Sequence, residues 1–351
     1  MLLKEQLKNN VLALMEALLD QNRSSLIKAN QRDLDAFDKD DQALYDLLMV
    51  DDHKIDQMIQ AVKEVRLQED PVDKVIESKQ LDNGLKIINK TAPFGTIMII
   101  YESRPDVTIE AAVLAFKASN KILLKGGKEA YHSNKKLVDF WHLALNQNEL
   151  SSDYIQFLEM DRTQTQTFLK EPDQALDLIV PRGGERLIDF VKQHAKCAVL
   201  VSGRGNNFMY VSKDADWNMT LEVIVNAKTD KISACNALDK ILIDRQIENY
   251  PEKLKELNAL LDSLEVEVIV DQSTSKILEA NDVVKGVEQW KEEFLALKCL
   301  IGSVSSLDNA IALINEHSGG HSAIIMSSNF EEVHQFMQEV DCAAVYQNAS
   351  S

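Results

Sequence analysis

The chain has 351 residues, 45% of them hydrophobic, which is more than one core usually holds, so two domains are expected. A formal net charge of -18 excludes non-specific attraction to nucleic acid or to an anionic membrane surface, since both would repel it. The cysteines at 197, 235, 299 and 342 are far apart and form no C-x-x-C pair, which argues against structural disulfides and a cysteine zinc site.

Residues 2 to about 70 place leucine, isoleucine and methionine at three-to-four spacing among charges, the pattern of surface helices with one buried face. The period then changes. Val75-Ile76-Glu77 and Leu85-Lys86-Ile87-Ile88 flank Asp82-Asn83-Gly84, and Asn-Gly between apolar runs predicts a two-stranded ribbon over 75–90. From Gly95 onward short apolar strands alternate with helices: Thr96 to Tyr101, a helix from Ile109 to Ala118, Lys121 to Lys125, Leu176 to Val180, Ala198 to Val201 and Asn207 to Val211. A second series begins near Cys235, with strands Ile241 to Asp244, Val266 to Val270, Lys298 to Val304 and Ser322 to Met326. Such alternation is the sequence form of parallel sheets covered by helices. No stretch approaches the ~18 apolar residues of a membrane span, and the first residues lack a signal-peptide core, so a cytoplasmic protein is expected.

Ligands on such sheets bind beyond the carboxyl ends of strands. The loops there are Tyr101-Glu-Ser-Arg-Pro105, Gly126-Gly-Lys128, Pro181-Arg-Gly-Gly-Glu-Arg186 and Ser202-Gly-Arg-Gly205. Glycine lets backbone N–H groups approach an anion and arginine adds a fork of donors, so Arg182 to Arg186 suits a phosphate, although an ordinary turn reads the same way. Neither G-x-G-x-x-G nor a P-loop is present. Arg104 between Glu102 and Asp106 reads as an ion-paired loop rather than an acid/base pair. His317 and His321 are separated by Ser-Gly-Gly, which argues against a metal-binding helix face, and no metal site is assigned.

Cys235 lies in a polar, weakly structured stretch from Asn226 to Ala237, with lysines at 228 and 231 and hydroxyls at 229 and 233. Lysines and oriented N–H groups favour a thiolate, and structural cysteines more often sit in apolar runs. The residues alone leave its reactivity open. A cysteine hydrolase would need a histidine base, and neither His194 nor His317 is in a strand-end loop with a carboxylate to orient it.

Several strings together resemble the gamma-glutamyl phosphate reductase family of the aldehyde dehydrogenase superfamily: Pro93-Phe-Gly-Thr, Tyr101-Glu-Ser-Arg-Pro-Asp-Val-Thr108, Asn120-Lys-Ile-Leu-Leu-Lys-Gly-Gly-Lys-Glu129, Pro181-Arg-Gly-Gly, Gly203-Arg-Gly-Asn206, Asn226-Ala-Lys-Thr229 and Cys235-Asn-Ala237. The resemblance implies an aldehyde-dehydrogenase-like α/β fold of two domains and a small oligomerisation ribbon. A variant Rossmann NADP-binding domain would take 1–74 and 91–225, the ribbon 75–90 and the catalytic domain 226–345, with 346–351 opening a C-terminal segment. The implied reaction, the second step of proline biosynthesis, reduces glutamyl 5-phosphate to glutamate 5-semialdehyde with NADPH through a Cys235 thioester. Lys125, Gly126, Gly183, Gly184 and Glu293 would hold the cofactor, Ser103 would stabilise the oxyanion, and Arg104, Asn226 and Lys228 would hold the substrate. Hydrolytic relatives carry a water-activating glutamate where this chain has Val201, and valine takes no proton from water. A homo-oligomer, and a glutamate 5-kinase as supplier of the acyl phosphate, are implied partners.

The chain also departs from the family pattern. Asp230 and Lys231 stand where an amide and an arginine are usual, Asn207-Phe208 replace Cys-His, and the sequence stops where the family continues for several dozen residues. A truncated record, or a non-catalytic or regulatory relative on the same fold, is therefore the competing expectation.

Overall fold

The computed structural model describes residues 2–37, 42–201, 203–232 and 234–351. The chain divides after Val201 into two compact units, each built on its own sheet.

The first unit opens with helices α1 (Glu5–Gln21), α2 (Arg23–Ala36), α3 (Gln42–Leu48) and α4 (Asp52–Leu67). Val11, Leu12, Met15 and Leu19 of α1 face Ile55, Met58 and Val62 of α4 in one core, as their spacing predicts. Lys8, fully buried on α1, donates to Asp70, to the Lys117 carbonyl and to Ser119, so a charged residue ties this helix to the rest of the unit. Strands β1 (Val75–Gln80) and β2 (Lys86–Lys90) form the expected antiparallel ribbon. Its turn uses Gly84 at φ +85°, a conformation that glycine adopts without strain.

The five-stranded sheet of this unit comprises β3 (Thr96–Ile100), β4 (Lys121–Lys125), β5 (Ile155–Phe157), β6 (Leu178–Pro181) and β7 (Ala198–Val199), all parallel in the order β5-β4-β3-β6-β7. Helices α5 (Pro105–Lys117), α6 (Tyr131–Gln147), α7 (Arg162–Lys170) and α8 (Glu185–His194) make the connections. The chain runs from β3 to β4 and β5 on one side, then returns to β6 on the other. That reversal puts a topological switch point between β3 and β6.

The second unit has six parallel strands in the order β10-β11-β9-β8-β12-β13. In chain order its elements are β8 (Asn207–Val211), α9 (Trp217–Thr229), β9 (Leu238–Asp244), α10 (Tyr250–Ser263), β10 (Glu267–Val270), α11 (Gln272–Leu278), α12 (Glu288–Lys291), β11 (Lys298–Val304), α13 (Leu307–His317), β12 (Ser322–Met326), α14 (Phe330–Glu339) and β13 (Ala344–Gln347). Separate apolar clusters form around Met209, Ile241 and Ile301 and around Phe208, Leu242 and Ile325.

Three expectations change. The first domain was to run to residue 225, but β8 pairs with β9 and β12, so Asn207 onward belongs to the second sheet. Apolar runs locate strands without naming their partners. Strands β5 and β13, only three and four residues long, are too short to stand out as apolar runs. The strand expected from Ile241 begins at Leu238, because Asp239 and Lys240, which break the apolar run, are themselves buried.

Candidate active site

In the first unit the loops after β3, β4 and β6 meet at the carboxyl edge of the sheet. The Tyr101 N–H donates to the Lys125 carbonyl at 3.0 Å and the Arg182 N–H to the Ile100 carbonyl at 2.6 Å. Lys125 is half-buried, its ammonium donates to the Gly126 carbonyl at 2.7 Å, and desolvation lowers its pKa. A side chain at Gly126 would meet Asn134 and stand 3.1 Å from the Tyr101 ring. Gly183 is at φ +150°, and Gly184 caps α8 with no atom within 4 Å of where a Cβ would stand. A helix that begins at a glycine turn offers backbone N–H groups to an anion, so the start of α8 is of a kind that suits the phosphates of a nucleotide.

Two residues of this edge behave differently from one another. Arg104 donates to Asp106 at 2.8 Å, the ion pair read from the sequence, and that bond raises the guanidinium pKa. Ser103 was expected to stabilise an oxyanion, but it is 3% exposed, donates to Glu129 at 2.6 Å and stands against Gly127. Its hydroxyl is already engaged. Sequence reasoning also gave no place to Lys54, a half-buried lysine of α4 whose ammonium donates to the Leu47 carbonyl at 2.8 Å and whose pKa burial lowers, with Asp106 opposing and Arg104 reinforcing that shift. Nothing local could have revealed it, because it comes from a helix some fifty residues upstream.

In the second unit the candidate residues collect at the amino edge of the sheet, opposite to the usual rule. Asn226 to Thr229, expected to be weakly structured, form the last turn of α9. Asn226 and Lys231 are exposed, whereas the Thr229 hydroxyl turns back to the Val225 carbonyl. Lys228, expected to hold substrate, is instead 1% exposed and 3.1 Å from the buried Asp239 carboxylate. Ser202 and Ser233 lie outside the described residues. Cys235 is exposed in the tight turn that follows, where the Ala234 N–H donates to Lys231 and the Ala237 N–H to Ala234. The other thiols are partly or wholly buried, and desolvation pushes Cys299 up to about 12 and raises Cys197 and Cys342. Cys235 is thus the thiol open to a substrate.

The turn is held from beneath. Asn207, fully buried at the start of β8, directs its amide nitrogen to the carbonyls of Cys235 and Ala237 at 2.8 Å and of Gly205 at 3.1 Å, while its oxygen accepts from Ser322. Gly205 is pressed on the same turn: a Cβ there would stand 2.5 Å from the Cys235 carbonyl oxygen and 2.8 Å from its Cα, and would strike the Glu293 carboxylate.

Glu293 follows α12 by two residues, and side chains hold the backbone of the end of that helix and of the irregular segment after it. Asn206 donates to the Trp290 carbonyl at 2.7 Å, Arg204 to that of Lys291 at 2.9 Å and Lys240 to that of Glu292 at 2.8 Å. The Phe294 N–H donates to Asp239 at 2.9 Å. Lys240 also lies 3.7 Å above the Phe294 ring. His317 is buried against Trp290, and Gly319 and Gly320 at φ +76° and +78° end its helix before His321. Among the described residues no group of three or more His, Cys, Asp or Glu side chains is placed to hold a metal.

The fold is that of the aldehyde dehydrogenases. A propionaldehyde dehydrogenase of Rhodopseudomonas palustris superposes over 99% of this chain and 84% of its own, with TM-score 0.67 at 15% identity. The nucleotide-ready edge of the first unit and the exposed cysteine of the second suit such an oxidoreductase, whose fold implies a nicotinamide cofactor. No protein-family model matches the chain. The crystal structure of gamma-glutamyl phosphate reductase from Thermotoga maritima matches over 99% of this chain and 84% of its own, with TM-score 0.93 and 36% identity. The gamma-glutamyl phosphate reductases of Aquifex aeolicus and Enterococcus faecalis are 35% and 38% identical, over 99% and 98% of this chain and 82% of each relative. The chain belongs to the gamma-glutamyl phosphate reductase family, oxidoreductases of the reduction step in proline biosynthesis.

Proposed function

We propose that the chain reduces glutamyl 5-phosphate to glutamate 5-semialdehyde and phosphate with NADPH, through a thioester on Cys235. The observation that carries this reading is an exposed thiol on a turn fixed by Asn207, in a chain of this family. The Cys235 thiolate attacks the acyl carbon, the carbon–oxygen bond to phosphate breaks, and phosphate leaves with that electron pair. The backbone N–H of Cys235 donates to the oxyanion formed on the way. Arg104, a third or more exposed with donors beyond the one given to Asp106, and Asn226 hold the substrate, whereas the buried Lys228 is taken up by Asp239 and the Ser103 hydroxyl, given to Glu129, is not assigned to the oxyanion. Lys125, Gly126, Gly183 and Gly184 hold the cofactor's phosphates and adenosine ribose, and Glu293 its nicotinamide ribose. When bound, that cofactor supplies the hydride that brings the acyl group to the aldehyde level. Val201, at the place of a water-activating glutamate in hydrolytic relatives, leaves the thioester without a base to direct water onto it.

The ribbon leaves Val75, Ile76, Leu85, Ile87 and Ile88 exposed, so we assign it to a contact between copies of the chain. A cytoplasmic setting, and a glutamate 5-kinase handing over the acyl phosphate, complete the reading. No helix among the described residues is long and apolar enough to cross a membrane.

The test is the reverse reaction, NADP+ reduction with glutamate semialdehyde and phosphate, run beside Cys235→Ala and repeated with NAD+. Phosphate-dependent activity that disappears with the thiol is expected. Activity without phosphate, or surviving the substitution, would overturn the reading.

A further inference from the structure

Gly205, Asn206 and Asn207 are consecutive, and they touch the two parts of the second unit that the proposed chemistry uses. Asn206 and Asn207 are both fully buried, and each spends its amide nitrogen on backbone carbonyls of other segments. Asn207 gathers the carbonyls of Gly205, Cys235 and Ala237 beneath the nucleophile turn. Asn206 donates instead to the carbonyl of Trp290 in α12 at 2.7 Å, three residues before Glu293, and to that of His317 at the end of α13 at 2.8 Å. Neither the turn nor the segment has a ladder of its own, so side-chain donors do the work that helix or sheet bonds do elsewhere.

We infer that Asn206 and Asn207 are two positioning residues with separable duties: Asn207 fixes the Cys235 turn for acyl transfer, and Asn206 fixes the Glu293 segment for the cofactor. The inference rests on the proposed roles of Cys235 and Glu293, and it assigns each asparagine to one of them. Two arguments favour a functional reading over mere cohesion. A turn presenting an exposed nucleophile has few apolar contacts to hold it, so its geometry depends on such bonds. Geometric errors of about 1 Å at a reacting group lower rates by as much as about a hundredfold, so a fixed turn matters more for rate than for stability.

The experiment pairs a cofactor-free reading with a chemistry-free one. Acylation of the thiol by p-nitrophenyl acetate is followed as a burst of p-nitrophenolate without cofactor, and NADPH binding is followed by fluorescence titration without substrate. Asn207→Ala is expected to slow the burst by about tenfold or more and leave the NADPH Kd within about twofold. Asn206→Ala is expected to do the reverse, weakening NADPH by about tenfold or more with the burst rate unchanged within about twofold. Should either alanine variant fail to fold, Asn207→Ser and Asn206→Ser are read by the same rule. If both substitutions move both readings together, or lower only the melting temperature, the division of duties is overturned. A burst that survives Cys235→Ala, or an NADPH Kd indifferent to Glu293→Ala, instead overturns the underlying assignments, so the two failures are told apart.

Discussion

The Lys228 ammonium lies 3.1 Å from the Asp239 carboxylate, with both side chains almost wholly shielded from water. Asp239 passes the link on by accepting the Phe294 N–H, so the pair joins the last turn of α9 and strand β9 to the segment bearing Glu293. Removing one partner leaves the other charge buried and uncompensated. Lys228→Met should therefore destabilise the chain by about 3–5 kcal/mol, and a matched apolar replacement of both residues should recover most of it. Urea denaturation of the single and double variants measures this; a Lys228→Met loss below about 1 kcal/mol would mean that the pair is not sealed from solvent.

The thiols should react in an order set by burial. Cys235 is exposed, whereas Cys299 is fully buried and pushed up to about 12 by desolvation, which leaves about one part in ten thousand as thiolate at pH 8. Brief iodoacetamide treatment at pH 8, read by peptide mass spectrometry, should mark Cys235 first and Cys299 only in denaturant. Native labelling of Cys299 ahead of Cys235 would contradict the buried placement.

How far the sequence could be read follows from where the information lies. The ribbon was legible because Asn83-Gly84 is a local signal, and β3, β4, β8 and β12 because parallel strands buried on both faces are runs of apolar residues. Cys235 stood out because its neighbours are polar. What supports it did not, since apart from the nearby Gly205 the carbonyls on which Asn206 and Asn207 act are 28 to 111 positions away. Lys228 misled for the opposite reason. A lysine two turns of chain before an exposed cysteine looks like a ligand for an anion, and only the fold reveals that Asp239, itself hidden inside a strand, has already claimed it.

Gly205 leaves no room for a side chain, because a Cβ would stand 2.5 Å from the Cys235 carbonyl oxygen and 2.8 Å from its Cα. Gly205→Ala should push the nucleophile turn and Glu293 apart and lower kcat by about tenfold or more, with the chain still folded. Gly286, around which nothing lies within 4 Å, provides the control, and Gly286→Ala should leave turnover unchanged. Steady-state kinetics of the two variants side by side decide the matter. Equal activities would show that the turn yields freely.

Lys240 gives the chain a pH dependence of definite sign. Its ammonium is fully buried on β9, and desolvation pulls its pKa from 10.5 down to about 8, against the pull of Asp239 in the other direction. Below about pH 8 the lysine is charged in both folded and unfolded states, so the whole cost of burying the charge is present. Between about 8 and 10.5 the unfolded chain binds the proton and the folded chain does not, so stability rises with pH across that window. A shift of this size corresponds to about 3 kcal/mol. The neutral amine can still donate to the Glu292 carbonyl, so the segment carrying Glu293 keeps its anchor as the charge is lost. Lys240→Met removes the titration and leaves every other group in place. The stability difference between wild type and Lys240→Met, measured by denaturant unfolding at pH 7, 9 and 10.5, should move toward the wild type by about 3 kcal/mol. A difference that stays constant with pH would show that the ammonium is solvated in the native state.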